Sequence, residues 1–251
     1  MRVSILSDLH CHAGKIPGVV GLDSMEPADV LVVAGDIANA DTCAQFVTEI
    51  TKATADKFRA RVMIDGNHDY YTRNLDDDAR SPSVDDNHVV SVKEADSDRV
   101  VDFVCSTLWS PILEKKTAVR YSLNDYNYIP EFTIGRCTEL FYENLEWLER
   151  EVASSKEAGN DVVVVTHHLP RRELIDPAYA NSMLNEAFCV LDDPSEKRLA
   201  ALSPLLWVHG HSHNFMDKTI DGIRYVRNPA GYDYMFSHEN TGYRRNFIVE
   251  I

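Results

Sequence analysis

Positive charge is scarce in this sequence. Its 251 residues carry 25 lysines and arginines against 40 aspartates and glutamates, a formal net charge of −15. A surface of that sign repels phosphate backbones, so broad electrostatic binding is disfavoured and no long nucleic acid is expected as a partner. No apolar run approaches the roughly 18 residues that a membrane-spanning helix requires, so no membrane partner is expected. Arg2 to Leu6 is too short for the apolar core of a signal peptide, and a candidate ligand follows at once at Asp8, which makes a cytoplasmic setting the expectation. Cysteine is also sparse. Cys11, Cys43, Cys105, Cys137 and Cys189 are odd in number and never in C-x-x-C spacing, which argues against a disulfide framework and against a structural zinc site. They read as small core residues kept reduced. Cys11 stands apart, because it lies between His10 and His12, and its oxidation could disturb a neighbouring site. Repeats, linkers and low-complexity tracts are missing too. Hydrophobic residues make up 44% and charged residues 26%, the balance of one globular α/β domain spanning 1–251.

Five short clusters of ligand-type residues stand out against this background: Asp8-Leu9-His10, Gly35-Asp36, Gly66-Asn67-His68-Asp69, Thr166-His167-His168 and Gly210-His211-Ser212-His213. Each follows an apolar run, respectively Val3 to Leu6, Val30 to Ala34, Arg61 to Ile64, Val162 to Val165 and Leu205 to Val208. Such runs read as buried strands, so five strand ends would deliver carboxylates, imidazoles and an amide oxygen. A donor set of that kind on a rigid sheet suits a pair of divalent metal ions.

The remaining chain supplies helices and loops. Asp41 or Thr42 is placed to cap a helix whose apolar face uses Cys43, Phe46, Val47, Ile50 and Ala53. Phe141, Leu145, Leu148 and Val152 keep helical spacing, with Glu146 set to pair with Arg150. Ser195 is placed to cap a shorter helix through Leu199 and Leu202. Val100 to Leu108, Ile223 to Val226 and Phe247 to Ile251 have strand character. Residues 72–99, with Asp76-Asp77-Asp78, Ser81-Pro82-Ser83 and Asp85-Asp86, read as a polar loop or insert, a lid being the less favoured form. Residues 110–136, rich in tyrosine, read as a long ordered loop near the site.

The five clusters, in this order, resemble the calcineurin-like metallophosphoesterase superfamily, whose pattern runs D-x-H, G-D, G-N-H-D/E, H, G-H-x-H. The match extends from Asp8 to His213, and the segments Ser122 to Tyr126 and Thr166 to Pro170 are similar to small bacterial-type members. The resemblance implies a four-layer α/β/β/α sandwich of two mixed sheets. It also implies that Asp8, His10 and His213 hold one metal ion, that Asn67, His167 and His211 hold a second, and that Asp36 bridges them. Two dications ~3.5–4 Å apart need such an anion between them. The implied cofactors are two divalent transition-metal ions, manganese first, with iron, zinc or cobalt open. A hydroxide shared by the metals is the expected nucleophile on a small phosphomonoester or phosphodiester, nucleotide-like in the first reading. His68 is the expected general acid, with Asp69 accepting from its other ring nitrogen.

Other residues carry weaker expectations. His168 and His209 are expected to pack behind the ligands, His12 lies between pocket rim and surface, and His88 and His238 read as surface residues. Arg171-Arg172 could fork onto a phosphate, although a solvated charge pair reads equally well. Asn124 and Asp125 could reach the pocket, and Tyr126 and Tyr128 could wall it. The arginine of G-D-x-x-D-R-G is missing after Asp36, which speaks against protein dephosphorylation. A DNA-repair type nuclease and a non-catalytic scaffold are the competing readings. Net charge disfavours the first, and the intact ligand set disfavours the second.

Overall fold

The computed structural model describes residues 1–11, 15–75, 87–234 and 237–251. The strands are β1 (Arg2–Leu6), β2 (Ala28–Ala34), β3 (Phe58–Ile64), β4 (His88–Lys93), β5 (Val100–Ser106), β6 (Asp161–Thr166), β7 (Leu206–Val208), β8 (Met216–Ile220), β9 (Ile223–Arg227), β10 (Asp233–Tyr234), β11 (Ser237–His238) and β12 (Ile248–Glu250). The helices are α1 (Ala40–Ala53), α2 (Lys116–Ser122), α3 (Asp125–Tyr128), α4 (Ile134–Glu157) and α5 (Asp193–Ala201). One sheet runs β12-β1-β2-β3 and a second runs β4-β5-β6-β7-β9-β8, while β10 and β11 form a separate ribbon. Both main sheets are mixed: β1 to β3 are parallel with β12 antiparallel, and β5, β6, β7 and β9 are parallel with β4 and β8 antiparallel at the edges.

Alternation along each strand sorts the core into layers. Val3 and Ile5 of β1, Val30 and Val32 of β2, and Val62 and Ile64 of β3 face Phe103, Val163, Val165 and Val208 of the other sheet. The opposite face of the first sheet, with Leu6, Leu31 and Val33, packs on Phe46, Val47 and Ile50 of α1. The outer face of the second sheet, with Val104, Val162, Val164 and Trp207, packs on Phe141, Leu145, Leu148 and Val152 of α4. The result is an α/β/β/α sandwich, and strands buried on both faces explain why the runs read as continuous apolar stretches. All five cysteines are buried and free, as expected of core residues. Among the described residues no helix is long and apolar enough to cross a membrane.

Register puts the ligand clusters on one edge. Leu6 lies opposite Val33, Ala34 opposite Ile64, and Val165 opposite Val208, so the loops that follow these strands emerge side by side.

Several local expectations need correction. Within 72–99 the polar tract holds strand β4, paired antiparallel with β5. It is an edge strand with only Val92 fully buried, so its sequence carries little apolar alternation. Residues 76–86, with the aspartate runs and Ser81-Pro82-Ser83, lie outside the described residues, as does His12. The long loop 110–136 contains α2 and α3 and ends in α4. These helices are too short to show a two-turn stripe and are tied down by Val119, Tyr126, Ile129 and Phe132. Helix α1 begins at Ala40 with Asn39 at its cap, where the Thr42 hydroxyl donates to the Asn39 carbonyl (3.2 Å). Asp192, not Ser195, caps α5 and accepts from both the backbone N–H and the hydroxyl of Ser195. Arg150 pairs with Glu151 (2.8 Å) in place of Glu146.

Candidate metal centre

Backbone strain marks the strand ends. Asp8 (φ 51°), His10 (φ 44°), Asp36 (φ 54°) and His211 (φ 66°) all occupy the left-handed region, which costs a side-chain-bearing residue about 1–3 kcal/mol. Loop-to-loop hydrogen bonds hold them there. The Asp8 N–H donates to the Gly35 carbonyl (3.0 Å), His10 N–H to Asp36 O (2.9 Å), and Gly231 N–H to Asp8 O (2.9 Å). Two glycines allow the close approach this needs. A Cβ at Gly66 would collide with the Asp36 carboxylate and the His167 ring, and one at Gly210 would lie 2.7 Å from the Ala34 carbonyl and 2.9 Å from Asp8 Oδ2.

The side chains so presented form two adjoining groups, Asp8–His10–His213 and Asp36–His167–His211, each with its donor atoms within 4.8 Å of one another. In the first, His213 Nε2 lies 3.6 Å from Asp8 Oδ1 and 3.0 Å from His10 Nε2. In the second, His167 Nε2 lies 3.3 Å from Asp36 Oδ1 and 3.2 Å from Asn67 Oδ1. Asp36 faces both: its Oδ1 turns to His167 while Oδ2 is 3.7 Å from His10 Nε2. Asp8 Oδ1 accepts the His211 N–H (2.9 Å), whereas its buried Oδ2 has no hydrogen-bond partner among the described residues. A buried carboxylate oxygen left without a hydrogen-bond partner, in a group that also holds two imidazoles, is what a cation would satisfy.

Charge supports the same view. Burial alone would raise the Asp36 carboxyl, but the cationic forms of His167, His68 and His10 outweigh it and hold it well below the usual range. Burial would lower His167, yet Asp36 raises it to about 9. His213 is raised to about 10 by Asp8 and Glu239 against the same opposing burial. Without metal, protons supply the positive charge that the carboxylates demand.

Each donor is oriented from behind, as metal ligands commonly are. His213 Nδ1–H donates to Glu239 Oε2 (2.7 Å), His167 Nδ1–H to the Ala34 carbonyl (2.8 Å), and His211 Nε2–H to the Ala187 carbonyl (3.2 Å). Asp125 accepts from Asn67 Nδ2 (2.7 Å) and from the Tyr71 hydroxyl (2.8 Å). That bond turns the amide oxygen of Asn67 toward His167.

The pattern of the calcineurin-like phosphoesterases matches residues 1–215. The chain belongs to that family. As a family member it is a metal-dependent phosphoric ester hydrolase. No curated protein sequence matches it. Solved structures that share the fold include the following three. The phosphopantetheinyl hydrolase of Mycobacterium tuberculosis is 19% identical with a TM-score of 0.64, over 92% of this chain and 89% of that one. A dimetal phosphatase from Danio rerio is 14% identical with a TM-score of 0.53, over 90% and 86%. A 5′-nucleotidase assigned in Staphylococcus aureus is 14% identical with a TM-score of 0.52, over 90% of this chain and 48% of that one.

In this phosphoesterase His68 is half-buried at the cleft. Its ring stacks on Tyr71 (4.3 Å) and meets His10 edge-on (4.6 Å), with Nε2 3.4 Å from the Tyr232 hydroxyl. Asp69 does not serve His68 as expected. Its carboxylate accepts the backbone N–H groups of Ile37 (3.2 Å), Ala38 (2.9 Å) and Gly66 (2.8 Å), and burial together with Asp36 raises it to about 6. Asp69 therefore staples the Asp36 loop to the Gly66 turn. The backbone geometry of a one-residue step points successive side chains apart, which sequence adjacency hides.

Other residues fall as follows. His168 and His209 are wholly buried, and His168 packs on His211 (4.2 Å) and is pushed down to about 3 by burial and by His167. Arg171 pairs with Glu173 and Asp221, and Arg172 with Glu196 and Asp193, and neither lines the cleft. His88 is exposed, whereas His238 is half-buried with Nε2 on the Ala230 carbonyl (2.8 Å). Cys11 is buried in the α1 layer, and burial beside Asp69 drives its thiol pKa far up. Tyr126 does not wall the cleft. It is buried and stacks on Phe132 (5.2 Å), and Tyr121 and Tyr128 are 81% and 53% exposed. Asn124 and Asp125 do line the cleft. Its aromatic walls are instead Tyr71, Tyr179, Phe188 and Tyr232, around a volume of about 650 Å³. Glu239, Tyr71 and Tyr232 belong to no recognisable motif, and only their contacts with candidate ligand histidines, His68 or Asp125 single them out.

Proposed function

We propose that this phosphoesterase hydrolyses a small phosphomonoester or phosphodiester at a dinuclear centre. In this reading Asp8, His10 and His213 hold one ion, Asn67, His167 and His211 the other, and Asp36 serves both. The observation that carries it is Asp36, with one carboxylate oxygen turned to each histidine group. The partnerless, buried Asp8 Oδ2 and the all-nitrogen-and-oxygen donor set fit transition-metal dications, manganese first among them. Bound there, such ions supply Lewis acidity at the phosphoryl oxygens and acidify water.

The protein's own groups do the rest. The strained loops hold the donors before any ligand arrives, so little reorganisation is needed at the moment of reaction. His68 delivers a proton from Nε2 to the departing oxygen; its stacking on Tyr71 fixes the ring and the Tyr232 hydroxyl marks the direction of Nε2. Asp69 contributes indirectly, through the backbone of the turn that carries Asn67 and His68. Rings at Tyr179 and Phe188, both partly exposed in the cleft, favour a nucleotide-like ester among small substrates, because they offer faces to a base or sugar. The test is turnover of nitrophenyl mono- and diesters, then of nucleoside monophosphates, by protein reconstituted with manganese, iron, zinc or cobalt. Absence of turnover with every metal would overturn the reading.

A further inference from the structure

A wholly buried arginine stands behind the candidate metal centre. Arg227 is the last residue of β9 and lies opposite Met216 at the start of β8. Its planar guanidinium serves three oxygens on two separate segments. Nε donates to the Asn214 carbonyl (2.6 Å) and Nη2 to Asn214 Oδ1 (2.5 Å), so one edge of the fork grips both backbone and side chain of a single residue. Nη1 donates to the Leu174 carbonyl (3.0 Å) in the segment after β6. All three of these acceptors are neutral. Burial pulls the guanidinium pKa down to about 10 although Asp8 and Asp176 oppose the shift, so the group stays cationic at neutral pH.

A buried charge is expensive, and a well-packed apolar side chain in its place is often as stable. What an apolar residue cannot do is hold oxygens of two segments in one plane. The gripped positions show what that hold achieves. Asn214 directly follows His213 and itself lines the cleft, and Leu174 directly precedes Ile175 and Asp176, which line it too. Glu239 sets the His213 ring from behind, while the Arg227 fork on the next residue sets its backbone. Different groups hold the other histidines: Asp8 Oδ1 and the Ala187 carbonyl hold His211, and the Ala34 carbonyl holds His167. We propose that Arg227 is a positioning residue, a buried pin that fixes the His213 loop and the cleft wall at 174–176 to one another. It acts on the Asp8–His10–His213 group and spares the Asp36–His167–His211 group. This role rests on the reading above that makes His213 a ligand.

Two measurements test the pin, and one of them needs no metal. In chelator-treated protein, hydrogen exchange is followed at the Ile175 amide, bonded to the Arg172 carbonyl, and at the Phe215 amide, bonded to the Thr241 carbonyl. Arg227→Lys keeps the charge, but an ammonium lacks the planar fork that serves Asn214 and Leu174 together. Both amides should lose protection together in this variant, while those of β6 keep theirs. Cobalt titration, read by calorimetry and absorption, then follows the two ions. Arg227→Lys should weaken about tenfold the same ion that His213→Ala removes, and leave the other unchanged. Asn214→Ala, which retains the backbone carbonyl for Nε, should weaken that ion by a smaller factor, and it carries the comparison if the lysine variant does not fold. Protection lost at one amide only or evenly across the sheets, or both ions weakened alike, overturns the proposal and leaves Arg227 a general core residue. Unchanged protection with unchanged cobalt affinity overturns it as well. Wild-type protein that binds no cobalt overturns the dinuclear reading, and the exchange result alone then decides the pin.

Discussion

Glu239 Oε2 lies 2.7 Å from His213 Nδ1, on the side of the imidazole opposite Asp8 and His10. The contact fixes the tautomer that leaves Nε2 free to face the centre. Glu239 also accepts the Tyr232 N–H (3.0 Å), so one carboxylate orders both a candidate ligand and the strand-end loop beside it. Glu239→Ala should weaken metal at the Asp8–His10–His213 site about 10–100-fold, and Glu239→Gln should weaken it less, because an amide oxygen can still accept. Metal titration followed by calorimetry checks this, and unchanged affinity in the alanine variant counts against it.

Asp36 and His213 separate the two halves of the centre. Purified protein should take up about two metal ions per chain. Asp36→Asn should lower occupancy at both positions, while His213→Ala should lower one and spare the other. Elemental analysis of the two variants after identical reconstitution distinguishes them, and equal losses would show that the two groups do not act separately.

For His68 the diagnostic is the leaving group. His68→Ala should retain near wild-type metal, yet lose roughly 10²–10⁴ in kcat on alkyl esters, whose alkoxide needs a proton to depart. The loss should shrink for a nitrophenolate, which leaves without one. Equal losses on both would instead assign His68 to holding the phosphate.

In the metal-free protein, His167 is raised to about 9 and His213 to about 10, from an ordinary value near 6.5. A group raised on folding stabilises the fold fully below its unfolded value and loses that contribution as pH rises through the folded one. Metal-free stability should therefore fall between about pH 6.5 and 10. Dications need the deprotonated rings, so metal binding strengthens over the same window and releases protons. The melting-temperature gap between loaded and chelator-treated protein should widen as pH rises; a flat gap would contradict these pairings.

Tyr126 belongs to the core and not to the cleft. Tyr126→Ala should cost about 3–5 kcal/mol of stability, as large aromatic truncations do. Its effect on KM should not discriminate a nucleotide ester from an aryl phosphate. Denaturant unfolding and steady-state kinetics on both substrates test the two halves of that statement.

The chain order already contained the strands and the clusters that follow them. A buried parallel strand must be apolar throughout, and a strand end that presents polar donors must be followed at once by them, so Val30 to Ala34 and then Asp36, or Val162 to Val165 and then His167, could be read locally. Edge strand β4 and the short helices α2 and α3 could not, because their stability comes from partners such as β5 and the α4 core and leaves little periodicity of their own. The same division runs through the site. Residue types and spacing pointed to Asp8, His10, Asp36, Asn67, His167, His211 and His213, whereas the roles of Glu239, Tyr71, Tyr232 and Asp69 were decided only by tertiary structure. A hydrogen bond between residues 26 or 58 positions apart has no local signature. Asp69 shows the same limit at closest range: it neighbours His68 in sequence, yet its carboxylate is directed by φ and ψ onto the amides of Ile37, Ala38 and Gly66, and it is the folding of two loops against each other that sets its role.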